Sequence, residues 1–154
     1  MSDGATETLL HGTAIALGDR SAVIRGPSGS GKSDLALRCL FLAKSSTAGH
    51  KIELVADDQV VLKLQESKIY ASAPLSLAGC LEVRGLGILK IPYRSFLPVY
   101  LIIQLTCHEK IERFPDPWLF ETHLGCSLPV LKLNPFESSA PQKLALALAH
   151  EPWL

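Results

Sequence analysis

The sequence has no net charge: its 15 basic residues balance its 15 acidic ones. A broad nucleic-acid surface or an anionic-membrane surface needs a basic excess, so neither partner is expected, although a small local anion site is still allowed. Long apolar runs are also missing. The longest, Val99 to Leu105, is broken by Gln104, whereas a bilayer span needs about 20 residues. Residues 1–8 are polar and acidic and do not read as a signal peptide. No C-x-x-C spacing joins Cys39, Cys80, Cys107 and Cys126, and Cys107-His108 with His123-x-x-Cys126 does not match a zinc-ligand spacing. Free thiols fit a reducing cytoplasm, and Cys39 reads as packing on a helix face. Internal repeats and low-complexity linkers are absent. Hydrophobic residues make up 47% of the chain, enough for the core of one domain at this length. Residues 1–8 read as a flexible terminus and 9–154 as a single domain.

One stretch organises the rest. Gly26-Pro27-Ser28-Gly29-Ser30-Gly31-Lys32-Ser33 fits the phosphate-loop pattern G-x-x-x-x-G-K-[ST] at every position. Ser21 to Arg25 before it reads as a buried strand, and Ser33 to Lys44 after it as a helix with an apolar stripe. Glycines let successive backbone N–H groups converge on phosphate oxygens, and the helix N-terminus adds the positive end of its dipole. Lys32 would reach the β- and γ-phosphates, and Ser33 would hold Mg²⁺.

Leu9 to Leu17 alternates and reads as one strand, turning at Gly18-Asp19-Arg20 into a hairpin with Ser21–Arg25. The polar segment 45–51 ends the first helix. Ile52 to Ala56 is a short apolar strand that closes on Asp57-Asp58, the usual partner of a phosphate loop. Gln59 to Leu64 and Ile69 to Ala73 form a hairpin, and a loop or short helical turn follows. Cys80 to Ile91 is an apolar run interrupted by Gly85 and Gly87 and by Glu82 and Arg84. It reads either as a bulged strand or as backbone that approaches a ligand closely. Val99 to Thr106 is a buried strand, residues 110–122 are irregular, and Leu128 to Leu133 is a last strand. Ser139 is expected to cap the final helix, with Gln142 as its capping-box partner and Pro141 in the first turn.

Phosphoryl transfer needs held phosphates, neutralised charge and an aimed nucleophile. Asp57 is the leading candidate for the base and Asp58 the second. Glu82 is a further carboxylate suited to a hard Mg²⁺ ion, and Arg84 and Arg113 are basic candidates. Taken alone, these residues leave a kinase, a hydrolase and a mechanical ATPase open.

Put in order, Leu10-His11-Gly12, Gly26–Ser33, Val55-Ala56-Asp57-Asp58 and Leu81-Glu82-Val83-Arg84-Gly85-Leu86-Gly87-Ile88 resemble the HPr kinase/phosphorylase family. The resemblance is to the catalytic domain, in a compact single-domain form. It implies an α/β phosphate-loop fold of the HPr kinase and phosphoenolpyruvate carboxykinase type, a mixed β-sheet with flanking helices. It implies an ATP- and Mg²⁺-dependent serine kinase acting on HPr, a small phosphocarrier protein of a phosphotransferase system, and a homo-oligomer. By the same resemblance Asp57 is the base, supported by His11 and Lys32; Ser33 and Glu82 hold Mg²⁺; and Arg113 falls where the family has a catalytic arginine. Longer members also catalyse the reverse reaction, in which inorganic phosphate attacks the seryl phosphate. Two departures stand out. Asp34 replaces the family's frequent Glu, and Leu133-Asn134-Pro135-Phe136-Glu137-Ser138 lacks the arginine of a Pro-x-x-Pro-Gly-Arg-like loop tied to that reverse step. The rival readings are a small-molecule kinase or NTPase on the same loop, and a non-catalytic nucleotide sensor.

Overall fold

A strand buried on both faces reads as one apolar run rather than an alternation. Ala22-Val23-Ile24 and Leu101-Ile102-Ile103 are such runs, and they lie side by side at the centre of the fold. The computed structural model describes residues 6–44 and 49–154. In order the elements are β1 (Glu7–His11), β2 (Thr13–Leu17), β3 (Arg20–Arg25), α1 (Lys32–Leu40), β4 (Ile52–Ala56), β5 (Gln59–Gln65), β6 (Lys68–Ser72), β7 (Cys80–Val83), β8 (Gly87–Lys90), β9 (Leu97–Leu105), β10 (Leu119–His123), β11 (Cys126–Leu133) and α2 (Ala140–His150).

Nine strands form one mixed sheet, β1-β5-β6-β9-β3-β2-β4, with β11 and β10 joined at β9. β3 runs parallel to β9, and β9 parallel to β11. β2 is antiparallel to both of its neighbours, β3 and β4. The start of β9 pairs with β6 and its end with β11, so the sheet forks and curls there. Alternate residues then serve two cores. Ile15, Ile24, Leu101 and Ile103 face α1 and α2 with Leu35, Cys39, Leu144 and Leu148. Ala14, Val23 and Ile102 face the inside of the curl with Val60, Leu62 and Ile69. The expected mixed sheet with flanking helices is what forms.

Several expectations are corrected. Leu9 to Leu17 is two strands, not one. Gly12 breaks it, since a Cβ there would stand 2.6 Å from the Ile24 carbonyl oxygen. Its N–H turns to the Asp58 carbonyl at 3.1 Å. β1 leaves to pair with β5, and it begins at Glu7, inside the stretch expected to be flexible. Residues 1–5 of that stretch, and 45–48 of the polar segment after the first helix, lie outside the described residues. α1 ends at Leu40 rather than Lys44. Residues 110–122 include the unexpected strand β10, made by pairing with β11. Ser139 sits at the helix N-cap without a side-chain hydrogen bond, so the expected capping box is not made.

The run at 80–91 is not one bulged strand, and Glu82, Val83 and Arg84 within it line the cleft described below. That run folds into a separate two-stranded hairpin, β7–β8. Gly85 (φ 90°) and Gly87 (φ 107°) supply the left-handed turn, and no atom lies within 4 Å of where either Cβ would be.

Cys39 is fully buried, as its helix stripe predicts. Burial pushes its thiol up to about 12, with Arg38 pulling weakly the other way. A thiol reagent at pH ~8 should therefore modify exposed Cys107 quickly and reach Cys39 only after denaturant is added. Rapid labelling of Cys39 in the folded chain, read by mass spectrometry, would contradict this packing.

Candidate active site

Since β2 is antiparallel to both β3 and β4, those two strands point the same way and end on either side of the start of β2. Open α/β sheets bind ligands at such strand ends. Here β3 runs into the Gly26–Ser33 loop and β4 into Asp57-Asp58, while Thr13 opens β2 between them.

The loop turns through Gly29 (φ 78°) and Gly31 (φ 101°), conformations that side chains with a Cβ resist. At Gly26 a Cβ would meet Ser30 Oγ at 2.7 Å. No side chain caps α1 at Gly31, so its first-turn N–H groups remain for an anion. Lys32 is only 7% exposed. Its Nζ donates to the carbonyl oxygens of Gly26 at 2.8 Å and Pro27 at 3.0 Å. Buried Ser30 Oγ has no hydrogen-bond partner. Ser28, Gly29, Gly31, Lys32 and Ser33 line a cleft of about 450 Å³, and Gly26, Pro27 and Ser30 are not among its lining residues.

Asp57 faces the loop across this cleft and is 5% exposed. Thr13 Oγ1 donates to its Oδ1 at 2.8 Å and Ser33 Oγ at 2.7 Å. The Glu82 backbone N–H donates to Oδ2 at 2.9 Å. A carboxylate offers about four acceptor sites, so the three donors fix its orientation and leave room for one more. Asp58 sits at φ 70°, and Gln59 N–H bonds back to the Asp57 carbonyl at 2.8 Å. This tight three-residue turn is a strained form that side chains seldom adopt. It sends Asp57 inward and Asp58 outward, where Asp58 Oδ1 lies 3.7 Å from His11 Nδ1.

The β7–β8 hairpin brings Glu82 and Arg84 to the rim. The cleft thus gathers His11, Lys32, Ser33, Asp57, Asp58, Glu82 and Arg84. Arg113 stands apart. It is exposed in the irregular segment after β9, its guanidinium 5.4 Å from the Phe114 ring centroid, and it does not line the cleft. No strand or helix spans 111–118 to return that side chain to the site. Sequence reasoning missed Thr13, Leu37, Arg38 and Phe136, which also line the cleft. The only signal for Thr13 was a hydroxyl opening an apolar strand just after a glycine.

At the loop's root, Arg25 donates to Gln104 Oε1 at 2.6 Å and pairs with Glu121 on β10. The Arg25 guanidinium holds the Glu121 carboxyl below the usual range, with His123 adding to the effect.

The lining carries four carboxylates (Asp34, Asp57, Asp58, Glu82) against the cations Lys32, Arg38 and Arg84. That balance disfavours a bare anion and suits phosphate accompanied by a divalent cation. Among the described residues no group of three or more His, Cys, Asp and Glu could hold a metal alone. Ser33 and Glu82 both line the cleft and offer side-chain oxygens, the donor type Mg²⁺ takes, usually one or two from protein with phosphate and water completing its shell. Among the described residues, no helix is long and apolar enough to cross a membrane.

The family model described as "HPr Serine kinase C-terminal domain" matches residues 3–130. An HPr kinase/phosphorylase of Clostridium tetani is 43% identical over 88 residues, covering 57% of this chain and 26% of that protein. One from Verminephrobacter eiseniae is 33% identical over 141 residues, covering 84% of this chain and 41% of that protein. The chain thus spans about a quarter of the length of the clostridial relatives it matches. The solved Hpr(Ser) kinase/phosphatase of Coxiella burnetii superposes with a TM-score of 0.72 at 24% identity, covering 90% of this chain and 87% of that one. That likeness establishes the fold. With the family model matching most of its length, the chain belongs to the HPr serine kinase C-terminal domain family.

Proposed function

We propose that this cleft transfers the γ-phosphoryl group of ATP, with Mg²⁺, to a serine of an HPr-like phosphocarrier protein. The observation that carries the reading is Asp57, buried at the end of β4 and held between Thr13, Ser33 and the Glu82 N–H. In this reading Lys32 leaves its two carbonyl partners for the phosphates. Asp57 uses its remaining acceptor site to take the proton of the incoming serine as the serine Oγ bonds to the γ-phosphorus and the bond from that phosphorus to the bridging oxygen breaks, releasing ADP. His11 and Asp58 flank the acceptor side, and Arg84 adds positive charge at the rim. Ser33 and Glu82 would hold the Mg²⁺, which supplies charge neutralisation on the phosphate oxygens when bound. Arg113, standing outside the cleft in this single chain, carries no role here. The site works in a cytoplasmic setting and in a homo-oligomer on this reading, and it calls for neither nucleic acid nor membrane.

Incubating the chain with HPr and Mg-ATP should yield one acid-stable seryl phosphate, located by mass spectrometry. ATP binding without transfer to any phosphocarrier would overturn the reading. Turnover on water or a metabolite would instead favour an NTPase or small-molecule kinase. Adding inorganic phosphate to the phosphorylated carrier tests phosphorolysis in the same assay.

A further inference from the structure

The ring of Phe136 is 80% exposed, on a loop with little freedom to hide it. Arg38 donates to the Pro135 carbonyl oxygen and, at 3.5 Å, to that of Glu137. The Phe136 N–H bonds to Asn134 Oδ1 at 3.0 Å. Lys143 of α2 and His108 both reach the Glu137 carboxylate. The loop between β11 and α2 is thus tied to α1, to α2 and to the segment after β9, and the aromatic ring is held out by that frame.

Its place is specific. Phe136 Cε1 lies 3.9 Å from where a Cβ on Gly31 would be, beside the last glycine of the phosphate loop. It lines the same cleft as Lys32 and Ser33, and half-buried Leu37, one turn along α1, adds apolar surface there. Apart from Val83, the other side chains that line the cleft are polar or charged. A flat apolar face set next to a phosphate cradle suits a ligand that joins phosphates to a flat aromatic ring.

We propose that Phe136 is the stacking platform for the nucleobase of the bound nucleotide, so that the base lies over the β11–α2 loop while the phosphates lie in the Gly26–Ser33 loop. This rests on the reading that the cleft binds a nucleotide, and it goes further by naming where the base sits. It also gives the segment 133–138 a role that does not depend on the arginine it lacks.

The test compares Mg-ATP with Mg-tripolyphosphate, which has the phosphates but no base, by calorimetry on the whole chain. Phe136→Ala should weaken ATP binding about tenfold, within the range for base–aromatic stacking. It should leave tripolyphosphate binding and the acceptor's KM unchanged, and Phe136→Trp should restore ATP binding. Equal losses for both ligands, no loss for either, or a rise confined to the acceptor's KM would each overturn the proposal. The last result would mean that the ring meets the acceptor protein instead. Wild-type chain binding tripolyphosphate as tightly as ATP would also overturn it while leaving the phosphate-loop reading intact. Binding neither ligand would overturn both.

Discussion

Asp57→Asn should leave Mg-ATP affinity within about twofold of wild type and lower phosphoryl transfer by about a thousandfold, within the range for loss of a positioned base. The substitution is close to isosteric, and the surrounding groups can accept it. With its Oδ1 turned toward the Glu82 N–H, an asparagine places its NH₂ against Thr13 and Ser33, whose hydroxyls can accept as well as donate. The turn at Asp58 and the β7 anchor then keep their bonds. What disappears is an oxygen able to take the serine proton. Binding is read by calorimetry and transfer by mass spectrometry of the carrier. Wild-type transfer in this variant would remove Asp57 from the base role.

Lys32→Ala should weaken Mg-ATP binding by about a hundredfold or more. The ammonium is nearly buried and bonds to the Gly26 and Pro27 carbonyl oxygens. Exchanging neutral carbonyl acceptors for anionic phosphate oxygens adds the attraction of opposite charges to hydrogen bonds whose donor is already ionised. Gly26 is only partly buried and Pro27 is exposed, so water taking the ammonium's place at their carbonyls should keep the melting temperature of the alanine variant close to wild type. Unchanged ATP affinity, measured by calorimetry with the fold checked by circular dichroism, would show that the nucleotide does not use this loop.

The phosphate loop was legible because its chemistry depends on fixed spacing, and Asp57 because an apolar strand ending in an acid marks a sheet edge. The central strands were legible because burial on both faces leaves long apolar runs. Other features depend on what the rest of the chain places nearby. Gly12 breaks a strand only because β3 passes within Cβ distance of it. The glycines at 85 and 87 make a turn whose neighbours Leu86 and Ile88 are 72% and 71% exposed, so apolar residues there signalled a core that does not form. Ser139 and Gln142 have the spacing of a capping box, yet spacing cannot show whether a hydroxyl reaches its N–H. Phe136 joins the cleft because the loop after β11 is tied to α1 through Arg38, a long-range contact that no local pattern encodes. β10 exists by pairing with β11, in a stretch whose prolines argued only against a helix.

The most direct measurement is a crystal structure of the chain with Mg²⁺ and a non-hydrolysable ATP analogue. The account predicts the terminal phosphate between Lys32 Nζ and the Asp57 carboxylate, with Asp57 at about 3 Å from the position an attacking serine oxygen must take. A nucleotide bound elsewhere, or bound in the loop with the carboxylates of Asp57 and Asp58 both turned away from its terminal phosphate, would contradict it.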